Sequence, residues 1–207
     1  LNLEKERPVK TIGLIGGMSW ESSLEYYRIL NEATKARMGG FHSSKCILYS
    51  VDFAEVEALQ HQDRWGELGQ MMVDAGRSLE RAGADLIVLC TNTMHKLAPE
   101  LEAGVRIPLL HIADATADAV KARGIERIGL LGTRFTMEHD FYNGRLAEKY
   151  GLKVLTPGAD DRETIHNVIY NELCLGMVKQ TSREQFAQII DRLAEAGAQG
   201  VILGCTE

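Results

Sequence analysis

The 207-residue sequence lacks the features that mark several large classes of protein. Acidic residues outnumber basic ones by 29 to 23, so the formal net charge is −6 and no basic excess is present to bind nucleic acid or an anionic membrane. No apolar stretch approaches the roughly 18–20 residues of a transmembrane helix. The first ten residues, LNLEKERPVK, contain no apolar core and are not expected to form a signal peptide. These absences predict a cytoplasmic protein that has neither nucleic acid nor membrane as its partner.

Metal and nucleotide motifs are also missing. The four cysteines include no C-x-x-C pair, and the six histidines do not fall at ligand spacing, so no metal site is expected. Cys46 and Cys174 are interpreted as ordinary thiols of a cytosolic protein. The glycine-rich turn GGMSWES, residues 16–22, is neither a G-x-G-x-x-G nor a Walker A sequence. Its backbone N–H groups suit a carboxylate or phosphate, or simply form a tight strand-to-helix turn.

Short apolar runs alternate with longer amphipathic stretches along the chain. Strands are predicted over residues 11–17, 46–53, 85–90, 127–133, 153–158 and 200–205. Helices are predicted over residues 19–40, 66–82, 137–150 and 183–196. Strand–helix alternation of this kind predicts an α/β fold, with parallel sheets covered by helices on both faces.

The second half of the chain repeats the first. IGLIG at 12–16 matches IGLLG at 128–132, and AGADLIVLCTNT at 82–93 matches AGAQGVILGCTE at 196–207 without a gap. We therefore predict two similar α/β domains, 8–104 and 105–207, related by a pseudo-two-fold axis. After CTNT the first half continues for about 30 residues that have no counterpart in the second. The protein is therefore expected to continue after residue 207.

Reactive and polar residues collect where the predicted strands end, which is where open parallel sheets bind ligands. Thr91, Asn92 and Thr93 place hydroxyls and an amide at one strand end, where they would hold a small carboxylate or ammonium group or cap the next helix. His95 is interpreted as a capping or packing residue. Cys205 can act as a base or nucleophile when nearby N–H groups lower its pKa. One such group from each domain would flank a ligand in the cleft between them, which suits removing a proton from one face and returning one to the other.

Four motifs carry a resemblance to a known family: IGLIGGMSWESSLEYYRILNE, TNTMH, IADAT and GCTE. They resemble the aspartate/glutamate racemase family of cofactor-independent amino-acid racemases, and are most similar to its branch of broad-specificity racemases from enteric bacteria. The similarity runs along almost the whole chain. It implies two Rossmann-like domains with the active site in the cleft between them, and a segment after residue 207 that completes the first domain. It also implies an amino-acid substrate, no cofactor, and a homodimer.

The sequence departs from the family at one catalytic position. The family motif reads C-N-T-x-H, but here Thr91 stands in the place of its cysteine and Cys90 comes one residue earlier. The internal duplication gives the same register, because Cys205 aligns with position 91. Successive strand residues point to opposite sides, so Cys90 is expected to face away from the cleft. We predict an unequal catalytic pair, with Cys205 as the competent base and Thr91 as a donor or relay, because a hydroxyl is a much weaker acid than a thiol of pKa about 8.5. A register error of one residue would make Cys90 the second group.

The resemblance also implies a set of substrate-binding residues: Met18, Ser19, Gln60, Asn92, Thr93, Thr133 and Thr206. Aspartate-specific relatives commonly carry a basic residue near the position of Gln60, whereas DFAEVEALQHQ offers glutamates and glutamines. This difference favours a broader substrate range that includes neutral polar amino acids.

Other functions remain open on the sequence alone. Hydantoin racemases, maleate isomerases and arylmalonate decarboxylases share the duplicated fold, and those that use a single cysteine would tolerate threonine at position 91. A non-catalytic amino-acid-binding protein, derived from a racemase by loss of the first cysteine, is the alternative from a different class.

Overall fold

The computed structural model describes residues 9–206. Pro8, where the first predicted domain begins, and Glu207, where the second ends, lie outside the described residues. The strands are β1 (Ile12–Gly16), β2 (Cys46–Ser50), β3 (Leu86–Leu89), β4 (Arg127–Gly132), β5 (Lys153–Leu155) and β6 (Gly200–Gly204). The helices are α1 (Trp20–Met38), α2 (Phe53–His61), α3 (Trp65–Arg81), α4 (Ala98–Gly104), α5 (Ile112–Lys121), α6 (Arg134–Glu138), α7 (Asp140–Tyr150), α8 (Ala159–Asn171) and α9 (Gln180–Glu195).

The predicted α/β class is confirmed by two parallel three-stranded sheets, ordered β2-β1-β3 and β5-β4-β6. The chain divides into two compact units. The first unit comprises the residues up to Cys90 together with Leu97–Leu110. The second comprises Thr91–Lys96 together with the residues from His111 onward. The turn of six residues after β3 therefore groups with the second unit, while the domains 8–104 and 105–207 stay a prediction.

The two sheets repeat the same register as well as the same order. In the first sheet Ile12 pairs with Leu86, and the pairs run on to Ile15 with Leu89. In the second sheet the equivalent pairs are Ile128 with Gly200 and Leu131 with Leu203. The matches between the two halves of the sequence are thus reproduced pair by pair in the backbone.

The first unit is built on β1, whose last four residues are buried. Gly13 allows helix α3 to lie close to this strand, because a Cβ there would stand 3.1 Å from a methyl group of Leu79. Of the residues at helical spacing here, Met72, Ala75 and Leu79 are buried in α3, whereas Ala82, just past the end of the helix, is exposed. Each fully buried leucine contributes about 1.5–3 kcal/mol to folding.

The second unit has a helical layer on each face of β4. Leu130 packs into a cluster with residues of α5 and α7, whereas its neighbour Leu131 packs into a second cluster with residues of α6, α8 and α9. Successive side chains of a strand point to opposite faces, so the apolar run of β4 is buried on both. Parallel pairing with β5 and β6 sets the direction of β4 and hence the position of its carboxyl end.

Two predicted boundaries were wrong near short helices. The strand predicted over 46–53 ends at Ser50, and α2 begins at Phe53 because the Asp52 carboxylate accepts the Ala54 N–H at 3.0 Å. The helix predicted over 137–150 is two helices, since His139 has extended backbone angles between α6 and α7. In both places a local capping geometry overrides the longer hydrophobic pattern.

Helix α8 was missed, and α9 begins three residues before the predicted position of 183. Helix α8 buries a short stripe of Ile165, Val168 and Ile169 with His166, which is too brief to produce a clear helical period in the sequence. Among the helices of residues 9–206, none combines the length and apolar character needed to cross a membrane.

Candidate active site

The carboxyl ends of β4 and β6 lie side by side in the second unit. Their last paired residues are Gly132 and Gly204, and Thr133 and Cys205 follow them directly. A Cβ on Gly204 would stand 2.8 Å from the Leu131 carbonyl oxygen, closer than side chains are normally found. The two glycines therefore let the strand ends approach closely and bring the turns of Thr133 and Cys205 to one edge of the sheet.

The turn after β3 is fastened to this edge by hydroxyl groups. Thr93 Oγ1 and Thr133 Oγ1 are 3.1 Å apart and form a buried hydrogen bond. Thr133 Oγ1 also lies 3.3 Å from Thr136 Oγ1 and accepts the Thr136 N–H at the start of α6. Thr91 and Asn92 are buried in the same turn. The structure thus brings five predicted residues together with Cys205 in one unit: Thr91, Asn92, Thr93, Thr133 and Thr206.

His95 connects this turn to helix α5. Only 1% of its surface is exposed. Its Nδ1 lies 2.8 Å from the Thr91 carbonyl oxygen, and its Nε2 accepts the Ile112 N–H at 3.2 Å. The His111 ring lies beside it, with ring centroids 4.5 Å apart and planes tilted by 57°, and His111 caps α5 by accepting the Ala113 N–H. Burial lowers the pKa of His95 to about 3, and burial with the nearby Arg145 charge lowers that of His111 to about 4.

Cys90 belongs to the first unit and is fully buried. Its N–H donates to the Ile15 carbonyl at 2.9 Å, and its carbonyl accepts a hydrogen bond from Ser22 Oγ at 3.0 Å. Burial raises the pKa of the Cys90 thiol to about 12. A thiol with this pKa is almost entirely protonated near neutral pH, so Cys90 is a poor base where it stands.

Cys205 is only partly buried and packs at the margin of the Leu131 cluster. It also borders a cavity of roughly 470 Å³ between β6, α8 and α9. The cavity wall on α9 includes Arg183 and Ile190, which the duplication aligns with Gly69 and Gly76 of α3. In the first unit α4 packs against these two glycines. The cavity is therefore the counterpart of a helix-packing surface.

Three predicted binding residues, Met18, Ser19 and Gln60, are buried in the first unit. Ser19 begins α1 but makes no capping hydrogen bond to it through its side chain. The preceding Gly17 donates its N–H to Ser23 Oγ at 2.8 Å, so this group of the GGMSWES turn is already occupied within the protein. Sequence reasoning missed Ser22 and Ser23, which lie six residues after Gly16 and Gly17 in the first turn of α1. The binding roles of the three residues stay predictions.

Residues 9–206 contain no group of three or more His, Cys, Asp and Glu side chains arranged to hold a metal ion. The four cysteines are present as thiols. The chemistry that the site offers is therefore that of hydroxyls, an amide, a partly buried thiol and a buried neutral imidazole.

Comparison with known proteins identifies similar chains and structures. A Yersinia pestis protein with a provisional Asp/Glu racemase assignment is 55% identical, with a TM-score of 0.89, over 95% of this chain and 86% of its own. An aspartate racemase homologue from Pyrococcus horikoshii is 35% identical, with a TM-score of 0.80, over 96% of this chain and 86% of its own.

A curated relative is the broad-specificity amino-acid racemase RacX of Bacillus subtilis, 25% identical over 127 residues. That match covers 60% of this chain and 51% of RacX, so the chain spans about half of the relative's length. The model of the Asp/Glu/hydantoin racemase family matches residues 15–207. From the match over nearly the whole chain and the two similar structures, we conclude that the chain belongs to the Asp/Glu/hydantoin racemase family, a family of isomerases.

Proposed function

We propose that the protein is a cofactor-independent amino-acid racemase that interconverts L- and D-amino acids by proton transfer at Cα. Cys205 and Thr91 are the two groups that exchange the proton. The observation that carries the proposal is their equivalence: each stands two residues beyond a paired leucine, Leu203 or Leu89, at the end of the same strand of a repeated sheet. Both also belong to the second unit.

The chemistry requires a base on one side of Cα and an acid on the other. The Cys205 thiolate takes the Cα proton, forming an S–H bond as the C–H bond breaks, and the electron pair passes into the substrate carboxylate. The Thr91 hydroxyl gives its proton to the opposite face, so a C–H bond forms with inverted configuration. Water restores the proton to Thr91 and removes one from Cys205 before the next turnover. Positioned acid–base groups contribute typically about 10²–10⁴-fold each.

The neighbouring polar groups suit the charged ends of an amino acid. Asn92, Thr93, Thr133 and Thr206 supply hydroxyls and an amide for the α-carboxylate and α-ammonium. The bond between Thr93 and Thr133 fixes two of these hydroxyls before substrate arrives, so less entropy is lost on binding. The resemblance to the family implies that Met18, Ser19 and Gln60 also bind the substrate.

The proposed substrate range is broad. Gln60 is buried, and its helix α2 carries Glu55 and Glu57 with no lysine or arginine. A neutral amide beside acidic residues does not favour a second carboxylate over other polar side chains. We therefore propose that neutral polar amino acids are accepted along with aspartate or glutamate.

The test is a chiral assay over a panel of amino acids, run in D₂O with the full-length protein. We expect at least one amino acid to racemise and to gain deuterium at Cα, and Cys205→Ser to lower this rate by about 10²–10⁴-fold. Cys46→Ser, in strand β2, is the matched control and should retain the rate. Unchanged activity of Cys205→Ser would contradict the two-base assignment. Binding by calorimetry without exchange would instead support the non-catalytic alternative.

We also propose that the enzyme is a cytoplasmic homodimer, which the resemblance supports. Light scattering coupled to gel filtration measures the mass in solution, and a mass of one chain would contradict the dimer.

A further inference from the structure

The imidazole of His95 bridges two backbone groups, and the pair of contacts defines its tautomer. The Ile112 N–H points at Nε2 from 3.2 Å, so Nε2 must be the bare nitrogen. A neutral imidazole has one N–H, which must then be on Nδ1 and donate to the Thr91 carbonyl at 2.8 Å. A positive His95 would instead direct an Nε2–H at the Ile112 N–H, and would leave two donors facing each other.

We propose that His95 is a positioning residue of the racemase site, which as the neutral Nδ1–H tautomer ties the Thr91 carbonyl to the first turn of α5. Its effect on turnover rests on the proposed function, whereas its tautomer and its two contacts do not. Nothing in the reaction requires His95 to touch the substrate.

The place of this contact explains why it matters. The ladder between β1 and β3 ends where the Cys90 N–H donates to Ile15, one residue before Thr91. From that point the chain leaves the sheet and enters the turn that carries Thr91, Asn92 and Thr93. His95 holds the turn at its first residue, and the bond from Thr93 to Thr133 holds it two residues later.

Helix α5, which provides the Ile112 N–H that binds His95, is itself held in place. Arg145 of α7 binds the Asp114 carboxylate of α5 through two hydrogen bonds, of 2.6 and 2.8 Å, and Lys149 adds a third at 2.8 Å. His111 caps the same end of α5. The Thr91 carbonyl is thus connected through one imidazole to a helix that is held at its first turn.

Burial agrees with the neutral tautomer. The pKa of His95 is lowered to about 3, mainly by its removal from water and then by the neighbouring His111, with Arg145 further off. The imidazole therefore keeps one donor and one acceptor through the pH range in which enzymes of this kind are assayed.

Two variants separate the two contacts. The amide nitrogen of asparagine reaches about as far as Nδ1, so His95→Asn keeps a donor for the Thr91 carbonyl. The longer glutamine amide reaches toward Nε2, so His95→Gln keeps a partner for the Ile112 N–H and loses the bond to Thr91. His111→Asn is the control, because it also removes a buried imidazole from this cluster but retains a good N-cap.

We expect His95→Gln to lower kcat by about 10–100-fold with KM changed by less than about threefold, because misplacing a reacting group by about 1 Å costs about this much. His95→Asn should retain kcat within about tenfold, and the kcat of His111→Asn should be close to that of the unaltered protein. Equal kcat for His95→Gln and the unaltered protein would overturn the proposal, as would equal losses in both His95 variants and the control.

The unaltered protein gives a second test that does not depend on turnover. Proton–nitrogen NMR of the imidazole nitrogens should show Nδ1 protonated and Nε2 bare, with no titration between pH 8 and pH 5. An Nε2–H tautomer, or a titration near the ordinary pKa of about 6.5, would overturn it. A protein that racemises no amino acid but shows the Nδ1–H tautomer would refute the proposed function and leave the contact intact.

Discussion

Replacement of Cys90 by alanine should leave racemisation within about twofold of the unaltered protein. The pKa of the Cys90 thiol is raised to about 12 by burial. At pH 8 its thiolate fraction is therefore about 10⁻⁴, against about a quarter for an ordinary thiol of pKa near 8.5. Alanine thus removes a sulfur that holds its proton under assay conditions. Thr91→Ala, one residue later, should lower the rate by about 10²–10⁴-fold.

The cost of Cys90→Ala should appear in stability. Removing one heavy atom from a fully buried site costs about 1–2 kcal/mol through lost burial and a small cavity. For a chain of this size that is a fall of roughly 2–8 °C in the melting temperature. Initial rates followed by circular dichroism of the amino acid, well below the melting temperature, separate this loss from any loss of catalysis.

The raised pKa has its own pH signature. In the unfolded chain Cys90 ionises at its ordinary pKa of about 8.5, whereas in the folded protein it ionises only near 12. The free energy of unfolding is therefore fully retained below about pH 8.5 and falls as the pH rises toward 12. The free energy of unfolding should fall by at most about 1.4 kcal/mol per pH unit in this range, and Cys90→Ala should abolish this dependence. If Cys90→Ala abolished racemisation while Thr91→Ala retained it, the catalytic register proposed for the strand end would be wrong by one residue.

Three further changes test the site and its surroundings. Thr91→Cys should raise kcat/KM about tenfold or more, because a thiol is a much stronger acid than a hydroxyl. The gain should be equal for both enantiomers, since their equilibrium constant is one. An unchanged or lower value in chiral initial rates would count against the role of Thr91. His95 and His111 have pKa values of about 3 and 4 when folded, so the unfolded state binds their protons first, and stability is lost as the pH falls from about 6.5 toward 4. In urea titrations the free energy of unfolding should fall by up to about 1.4 kcal/mol per pH unit for each histidine. His111→Asn should remove the contribution of one histidine, and an equal slope in that variant would refute the lowered pKa of His111. Gly17→Ala should cost about 1–3 kcal/mol, since φ is +91° and the new Cβ would collide with the Val51 carbonyl; unchanged stability in urea would contradict this.

The strands of the fold were predictable because a strand buried on both faces has a continuous run of apolar residues. Residues 128–132 of β4 are an apolar run that ends in glycine, and the equivalent β1 repeats it. Helices α2 and α8 could not be predicted in the same way. Helix α2 starts at a local cap, Asp52, and α8 buries too short a stripe to show a period. The position of α8 follows from tertiary packing, which the local sequence does not carry, whereas the start of α2 depends on the local cap at Asp52.

The candidate site was partly predictable for a different reason. The duplication aligns Thr91 with Cys205 in the sequence, and the sheet register places both two residues past equivalent leucines. Their catalytic roles stay predictions. The contact between His95 and Ile112 joins residues 17 positions apart through a ring nitrogen and a backbone N–H. No composition, period or motif encodes such a pairing, so the holding role of His95 came only from the structure.

The repeated sheet also has a consequence for how the two proton-transfer positions can change over time. A site assembled from two identical chains would carry the same residue at both equivalent strand ends, and every mutation would alter both. Here the two positions, 91 and 205, are encoded by separate codons of one reading frame, so a substitution at one leaves the other unchanged. A thiol can therefore be retained at position 205 while position 91 changes to a hydroxyl residue, and the group on each face of the substrate can change independently of the other.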